Sequence, residues 1–194
     1  MKRVVCIGRR DVAQSDVGYL ESIGMRTVEG GDFLVSCNGR GSDQMYALGG
    51  NRVNAEMVEL CLPWPKFEER WIAKDPDSSH GPDWRERGLM GGNRIRLASQ
   101  ATFQHVQLAN WFCLADFSRL SQGAQKLMVR NAMMLIAEDG SKSDVVLANP
   151  NMRARGWGGT GHTMRMAGYL NIPVWLVNRS RWWNPDEGTR INSS

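Results

Sequence analysis

The stretch GWGGTGHTMRMAGYLNIPVWLV, residues 156–177, constrains the fold more than any other. Four glycines crowd a turn. A segment with Met164, Ala167 and Leu170 on one face follows, and a β-branched run, PVWLV, closes it. The spacing predicts a helix over about 160–170 and a strand over 173–177. Glycine lets the backbone turn tightly and approach a ligand closely. The first N–H groups of a helix have no partner within it and lie at the positive end of its dipole. Such a start is suited to an anion, above all a phosphate.

The rest of the chain repeats the alternation. Apolar runs predict strands at 3–7 (RVVCI), 33–37 (FLVSC), 57–62 (MVELCL) and 144–148 (DVVLA). Between the first two, SDVGYLESIG reads as a short helix with Ser15 as N-cap and Gly24 as C-cap. SDQMYALGG reads as a second helix, begun at Ser42 or Asp43 and ended at Gly49 and Gly50. ATFQHVQLANWF gives another, with Phe103, Val106 and Ala109 or Asn110 on one face. SQGAQKLMVRNAMMLIA gives one more, with Leu127, Met128, Ala132, Leu135 and Ile136 as its apolar stripe and its methionines as core filling. Strands alternating with helices predict an α/β fold, a three-layer sandwich around a mainly parallel sheet. Residues 1–194 are read as one domain. Residues 63–99, rich in Pro, Gly, Trp and charge, read as a long excursion from it, and 179–194 as a surface tail that is polar after its two tryptophans.

Composition closes off several classes. No apolar run reaches the roughly 18 residues of a membrane span, and MKRVVCIG is too short in apolar residues for a signal peptide. The expectation is a cytoplasmic protein without a membrane partner. Cys6, Cys37, Cys61 and Cys113 form no CxxC pair and read as small buried hydrophobes. His80, His105 and His162 have no ligand spacing, so no metal and no cofactor are expected. A net charge of +4, carried mostly by arginine, suits phosphate-bearing partners without requiring DNA.

In an open parallel sheet, ligands bind beyond the carboxyl ends of the strands. Three glycine turns fall at that edge. The first carries Gly8, Arg9, Arg10 and Asp11. The second carries Asn38, Gly39, Arg40, Gly41, Ser42 and Asp43. The third carries Gly158, Gly159, Thr160, Gly161, His162 and Thr163. Thr160 and Thr163 offer hydroxyl donors, and Arg9 or Arg10 a charged fork. There is no GxxxxGK[ST] sequence, and GRRDVAQ is not GxGxxG, which argues against a P-loop ATPase and a nicotinamide dehydrogenase.

The ordered set CIGRR, VSCNGRGSDQMYA, LCLPWPKF, VRNAMML, SDVVLA and GGTGHTMRMAGYLNIPV resembles the SLOG superfamily of Rossmann-like domains. That superfamily includes the DNA-processing protein DprA and the LOG phosphoribohydrolases. The resemblance spans about residues 3–178 and is nearest to phage-type members. It implies a nucleotide-type ligand and a homo-oligomer. Gly8 and Arg9 match the first turn, and Gly39, Gly41 and Asp43 the second. Arg130 and Asn131 match the helix that faces the ligand, and 158–163 match the phosphate turn. LOG enzymes carry PGGxGTxxE. Here Trp157 stands for the proline, His162 for the threonine and Arg165 for the glutamate, so the carboxylate of the LOG hydrolase is missing.

Substitute groups exist. Asp43, Asp11 and Asp116 are candidate acids for an oxocarbenium-like transition state, with Asp43 best placed; it is otherwise a helix N-cap. His162 is a candidate general acid, or simply a residue at a helix start. The leading reading is a protein that binds a nucleotide or nucleotide-derived small molecule and cleaves or transfers at its N-glycosidic bond. The second is a non-catalytic sensor of such a ligand. The third is DprA-like binding of single-stranded DNA, for which Trp64, Trp71, Trp84, Trp182 and Trp183 are stacking platforms or ordinary packing.

Overall fold

The computed structural model describes residues 1–65, 67–68, 92–151 and 158–185. Seven strands form one sheet in the order β4-β3-β2-β1-β5-β6-β7. They are β1 (Arg3–Gly8), β2 (Phe33–Ser36), β3 (Val58–Leu62), β4 (Arg94–Leu97), β5 (Val145–Asn149), β6 (Val174–Leu176) and β7 (Arg181–Trp182). All neighbours pair in parallel except β6 and β7, which are antiparallel. The inner strands are apolar on both faces because helices cover both. In β1, Val5 and Ile7 enter one core, and Val4 and Cys6 enter the other.

The helices are α1 (Gln14–Glu29), α2 (Ser42–Asn54), α3 (Phe103–Trp111), α4 (Gln122–Leu135) and α5 (Gly158–Tyr169). Leu20, Val28 and Tyr46 of α1 and α2 fill one side, against Leu34 and Leu60. Met133, Met134, Met164 and Met166 of α4 and α5 fill the other. The methionines are core, as expected, and so are Cys6, Cys37 and Cys61. The architecture is the expected three-layer α/β sandwich.

Several boundaries differ from the sequence reading, each for a packing reason. Helix α1 does not stop at Gly24 but runs to Glu29, and Ala13 rather than Ser15 precedes it as N-cap. Helix α2 likewise runs through Gly49 and Gly50. These glycines are not terminators. A Cβ at Gly24 would strike the carbonyl of Tyr46, and one at Gly49 the carbonyl of Glu21, so their absence lets α1 and α2 touch backbone to backbone. Helix α3 turns His105, Leu108 and Ala109 inward, while Phe103 is 79% exposed. His105 is tolerable there because its ring is satisfied: Thr102 N–H donates to Nδ1 at 3.0 Å, and Nε2 lies 3.1 Å from the Ile136 carbonyl.

Part of the 63–99 stretch is not an excursion at all. Its end, Arg94–Leu97, is the edge strand β4. Trp64 packs edge-on to Phe67 at 5.2 Å. Trp71, His80 and Trp84 lie outside the described residues, as does the tail from residue 186 onward. Of the two tail tryptophans, Trp183 is buried under Gly168, and Trp182 is 58% exposed.

Candidate functional site

The strand order reverses between β1 and β5, and a cleft of about 320 Å³ opens there, at the carboxyl edge of the sheet. Its walls come from four places. The turn after β1 gives Gly8, Arg9, Arg10 and Asp11. The turn after β2 and the start of α2 give Cys37, Gly39 and Asp43. Helix α4 gives Arg130, Asn131 and Met134. Residue Asn151 and the first turns of α5 give the rest: Gly158, Gly159, Thr160 and Thr163. Distant parts of the chain meet here because each follows a parallel strand or packs on its end.

Helix α5 starts at Gly158, so the glycines form its first turn rather than a loop before it. Gly158 has φ +57°, and among the described residues nothing lies within 4 Å of where its Cβ would be. The amides of this turn point beyond the helix end. At Gly159 an added Cβ would meet, among the described residues, only the Asn131 amide, at 3.8 Å. The wall is therefore bare main chain, the surface an anion needs.

The second glycine turn has a different job. Gly41, at φ +90°, is the N-cap of α2 and lies against the carbonyls of Arg9 and Arg10. Ser42 is fully buried. Its N–H and its hydroxyl both donate to the Arg9 carbonyl, at 3.0 and 3.1 Å, and Asn149 donates to the hydroxyl at 3.1 Å. Gly41 and Ser42 thus brace the first turn and do not line the cleft. The threonine hydroxyls are also committed, Thr160 to the Gly8 carbonyl at 2.9 Å and Thr163 to the Gly159 carbonyl at 3.1 Å. Their protons hold the walls together instead of reaching inward.

His162 is the clearest departure from expectation. It is 2% exposed and points away from the cleft, as its neighbour Gly161 does. Nε2 lies 3.0 Å from the Ala109 carbonyl, to which it donates, and Nδ1 accepts from Asn131 at 3.2 Å. Burial pushes its pKa down to about 4, so the ring is neutral and its proton is held by main chain. It therefore presents no group to the cleft. Arg165, in the place of the LOG glutamate, donates to the Phe112 carbonyl at 3.2 Å and also lies off the cleft. Asp116 caps the turn at Phe117–Arg119, accepting from Ser118 N–H at 3.0 Å, and is not part of the site.

Asp43 is in the cleft, but not as a helix cap. One carboxylate oxygen accepts the Gly8 N–H at 2.7 Å, and the other accepts from the Cys37 thiol at 2.9 Å. Burial raises its pKa to about 6, against the lowering effects of Cys37, Arg130, Gly8 and Arg10. A raised carboxyl contributes stability that is complete below the ordinary value near 3.8 and lost as pH climbs through 6. The Asp43→Asn variant is therefore expected to be the more stable protein at pH 7.5, by up to about 3 kcal/mol, and to lose that advantage by pH 4. Urea unfolding at both pH values checks this; equal gaps at the two would contradict it.

Arg130 donates to the Cys37 carbonyl at 2.6 Å and lies 5.2 Å from the Phe67 ring centre, while its buried Nε has no hydrogen-bond partner among the described residues. Arg9 pairs with Asp16 at 2.7 Å, and Arg10 is exposed at the rim. Ile7, Cys37, Met134 and Asn151 were not picked out from sequence as site residues. Met134 lies one helical turn beyond Arg130, a spacing that was available to find it.

No protein-family model matches the chain, and no curated protein matches it in sequence. A solved structure does. DNA processing protein A from Helicobacter pylori, described for its single-stranded DNA binding mode, aligns with a TM-score of 0.50 and 14% identity. The alignment covers 90% of this chain and 65% of that one, so this chain spans about two thirds of the length of that structure. The shared fold is Rossmann-like. The likeness is one of fold. Among the described residues no helix is long and apolar enough to cross a membrane, and no cluster of His, Cys, Asp or Glu is placed to hold a metal.

Proposed function

We propose that the cleft holds a phosphate of a nucleotide unit, and that this unit belongs to single-stranded DNA. The observation that carries the phosphate is the bare first turn of α5, opposite the turn that bears Arg9 and Arg10. The fold shared with a single-stranded DNA binding protein supports the polymer.

Gly159→Val is the direct test. Its side chain projects beside Asn131 into the space the phosphate would take, while the backbone keeps its helical conformation. Affinity for a labelled oligothymidylate, read by anisotropy, is expected to fall at least about tenfold, with thermal stability little changed. Wild-type affinity is expected to drop steeply with salt. An oligonucleotide bound equally well by a folded Gly159→Val protein would end this reading.

A second reading has its own observation. Asp43, with a pKa near 6, is a buried carboxyl inside a cleft whose volume suits a single nucleotide. It is the group best placed to steady positive charge at an anomeric carbon if the ligand is a free nucleotide cleaved at its N-glycosidic bond. Release of free base from a nucleoside monophosphate panel, lost in Asp43→Asn, would favour it. Saturable binding of an intact free nucleotide that displaces DNA would favour a sensor.

A further inference from the structure

Strands β1, β5 and β6 run in parallel, so their carboxyl ends share one edge, and β7 returns antiparallel beside β6. The turn between β6 and β7 therefore emerges at the same edge as the cleft. Asn178, in that turn, donates to the Pro150 carbonyl at 3.2 Å, next to Asn151 of the cleft wall. The turn then presents Arg179, which is exposed, and Arg181, whose guanidinium folds back to the Trp182 carbonyl at 3.4 Å.

Trp182 itself pairs across the ladder with Trp175. The two rings stand at 78° with centres 5.1 Å apart, and Trp182 is left 58% exposed. The partner ring fixes the orientation of the outer indole without covering it. Three strand spacings separate β7 from β1, a distance of about 14 Å. An extended strand held by a phosphate at β1 and β5 would thus pass the exposed indole within a few nucleotides.

We propose that Trp182, flanked by Arg179 and Arg181, is a stacking platform for a base of single-stranded DNA leaving the cleft. The proposal rests on the DNA reading of the cleft and adds a second place on the same ligand. Exposed aromatics interleaved with cations are what a strand with unpaired bases requires.

The test compares Trp182→Ala and Trp182→Phe with Gly159→Val, using a long labelled oligothymidylate and a thymidine mononucleotide. Trp182→Ala is expected to weaken the oligonucleotide about tenfold and to leave the mononucleotide unchanged. Trp182→Phe, which keeps a ring on Trp175, is expected to retain most of the affinity. Gly159→Val is expected to weaken both ligands. If Trp182→Ala binds the oligonucleotide as wild type does while Gly159→Val loses it, the platform is wrong and the cleft stands. If both variants bind as wild type does, the DNA reading of the cleft fails and takes the platform with it. A Trp182→Ala protein that changes its sedimenting mass with DNA affinity intact would make this surface a contact between copies, which also overturns the proposal.

Discussion

Gly49→Val is expected to leave the chain largely unfolded. The valine side chain would begin inside the carbonyl and Cα of Glu21 on the facing helix, and neither can yield without parting α1 from α2. Overpacking against side chains costs about 1–3 kcal/mol because side chains rotate away. Here the obstacle is backbone, and moving α1 also strips Leu20 and Val28 from their core. A loss of more than about 4 kcal/mol is expected, close to the whole stability of a small domain. The contrast is Gly18→Ala in the facing helix α1. Among the described residues nothing lies within 4 Å of that position, so alanine is expected to be neutral or to stabilise by up to about 1 kcal/mol. Chemical denaturation and the soluble yield of the two variants give the comparison, and a well-folded Gly49→Val protein would show that the helices are not in backbone contact.

The second large effect lies at the opposite edge of the sheet. Glu59 of β3 is buried between Arg3 of β1 and Arg96 of β4. Arg96 also donates to the Met133 carbonyl at 2.9 Å, fastening the end of α4 to the edge strand. Burial alone would raise the Glu59 pKa, but the hydrogen bonds and charges of Arg3 and Arg96 outweigh it and hold the carboxyl below its usual range. Its contribution is therefore present above the unfolded value and lost as pH falls through the folded one. Glu59→Ala takes the carboxylate from Arg3 and leaves Arg96 only the exposed Glu138, 3.4 Å from its Nε, and is expected to cost about 3–5 kcal/mol. Glu59→Gln, which keeps the shape and some hydrogen bonds, is expected to cost less. Urea unfolding at neutral pH measures both, and a cost under about 1 kcal/mol for Glu59→Ala would mean that water reaches the arginines.

Strand β4 shows why this ion cluster was hard to read from the chain. Arg94, Ile95, Arg96 and Leu97 alternate in the wrong sense for an amphipathic strand, since Ile95 is 37% exposed and Arg96 is buried. The charge is admissible only because Glu59 arrives from β3, thirty-seven residues away. The same distance effect misled the reading of glycine. Gly24, Gly49 and Gly50 look like helix ends when nothing but neighbours in sequence is considered. Gly24 and Gly49 are the thin places where two helices cross, and Gly50 lets α2 settle onto Val58 and Leu34 of the sheet. The first turn of α5 was legible as a cleft wall because a helix start is a local fact, whereas Arg130 and Asn131 followed only from the resemblance to the SLOG superfamily.

Apart from the edge strands β4 and β7, the sequence by itself determined which segments become strands and helices and where helix-start amides would gather, because those depend on residues a few positions apart. Tertiary structure alone decided which way the polar groups at that edge would face. His162 turns to the Ala109 carbonyl, Ser42 to the Arg9 carbonyl and Thr160 to the Gly8 carbonyl. Each partner lies far along the chain, and a buried polar group takes whichever partner the packed layers bring within reach.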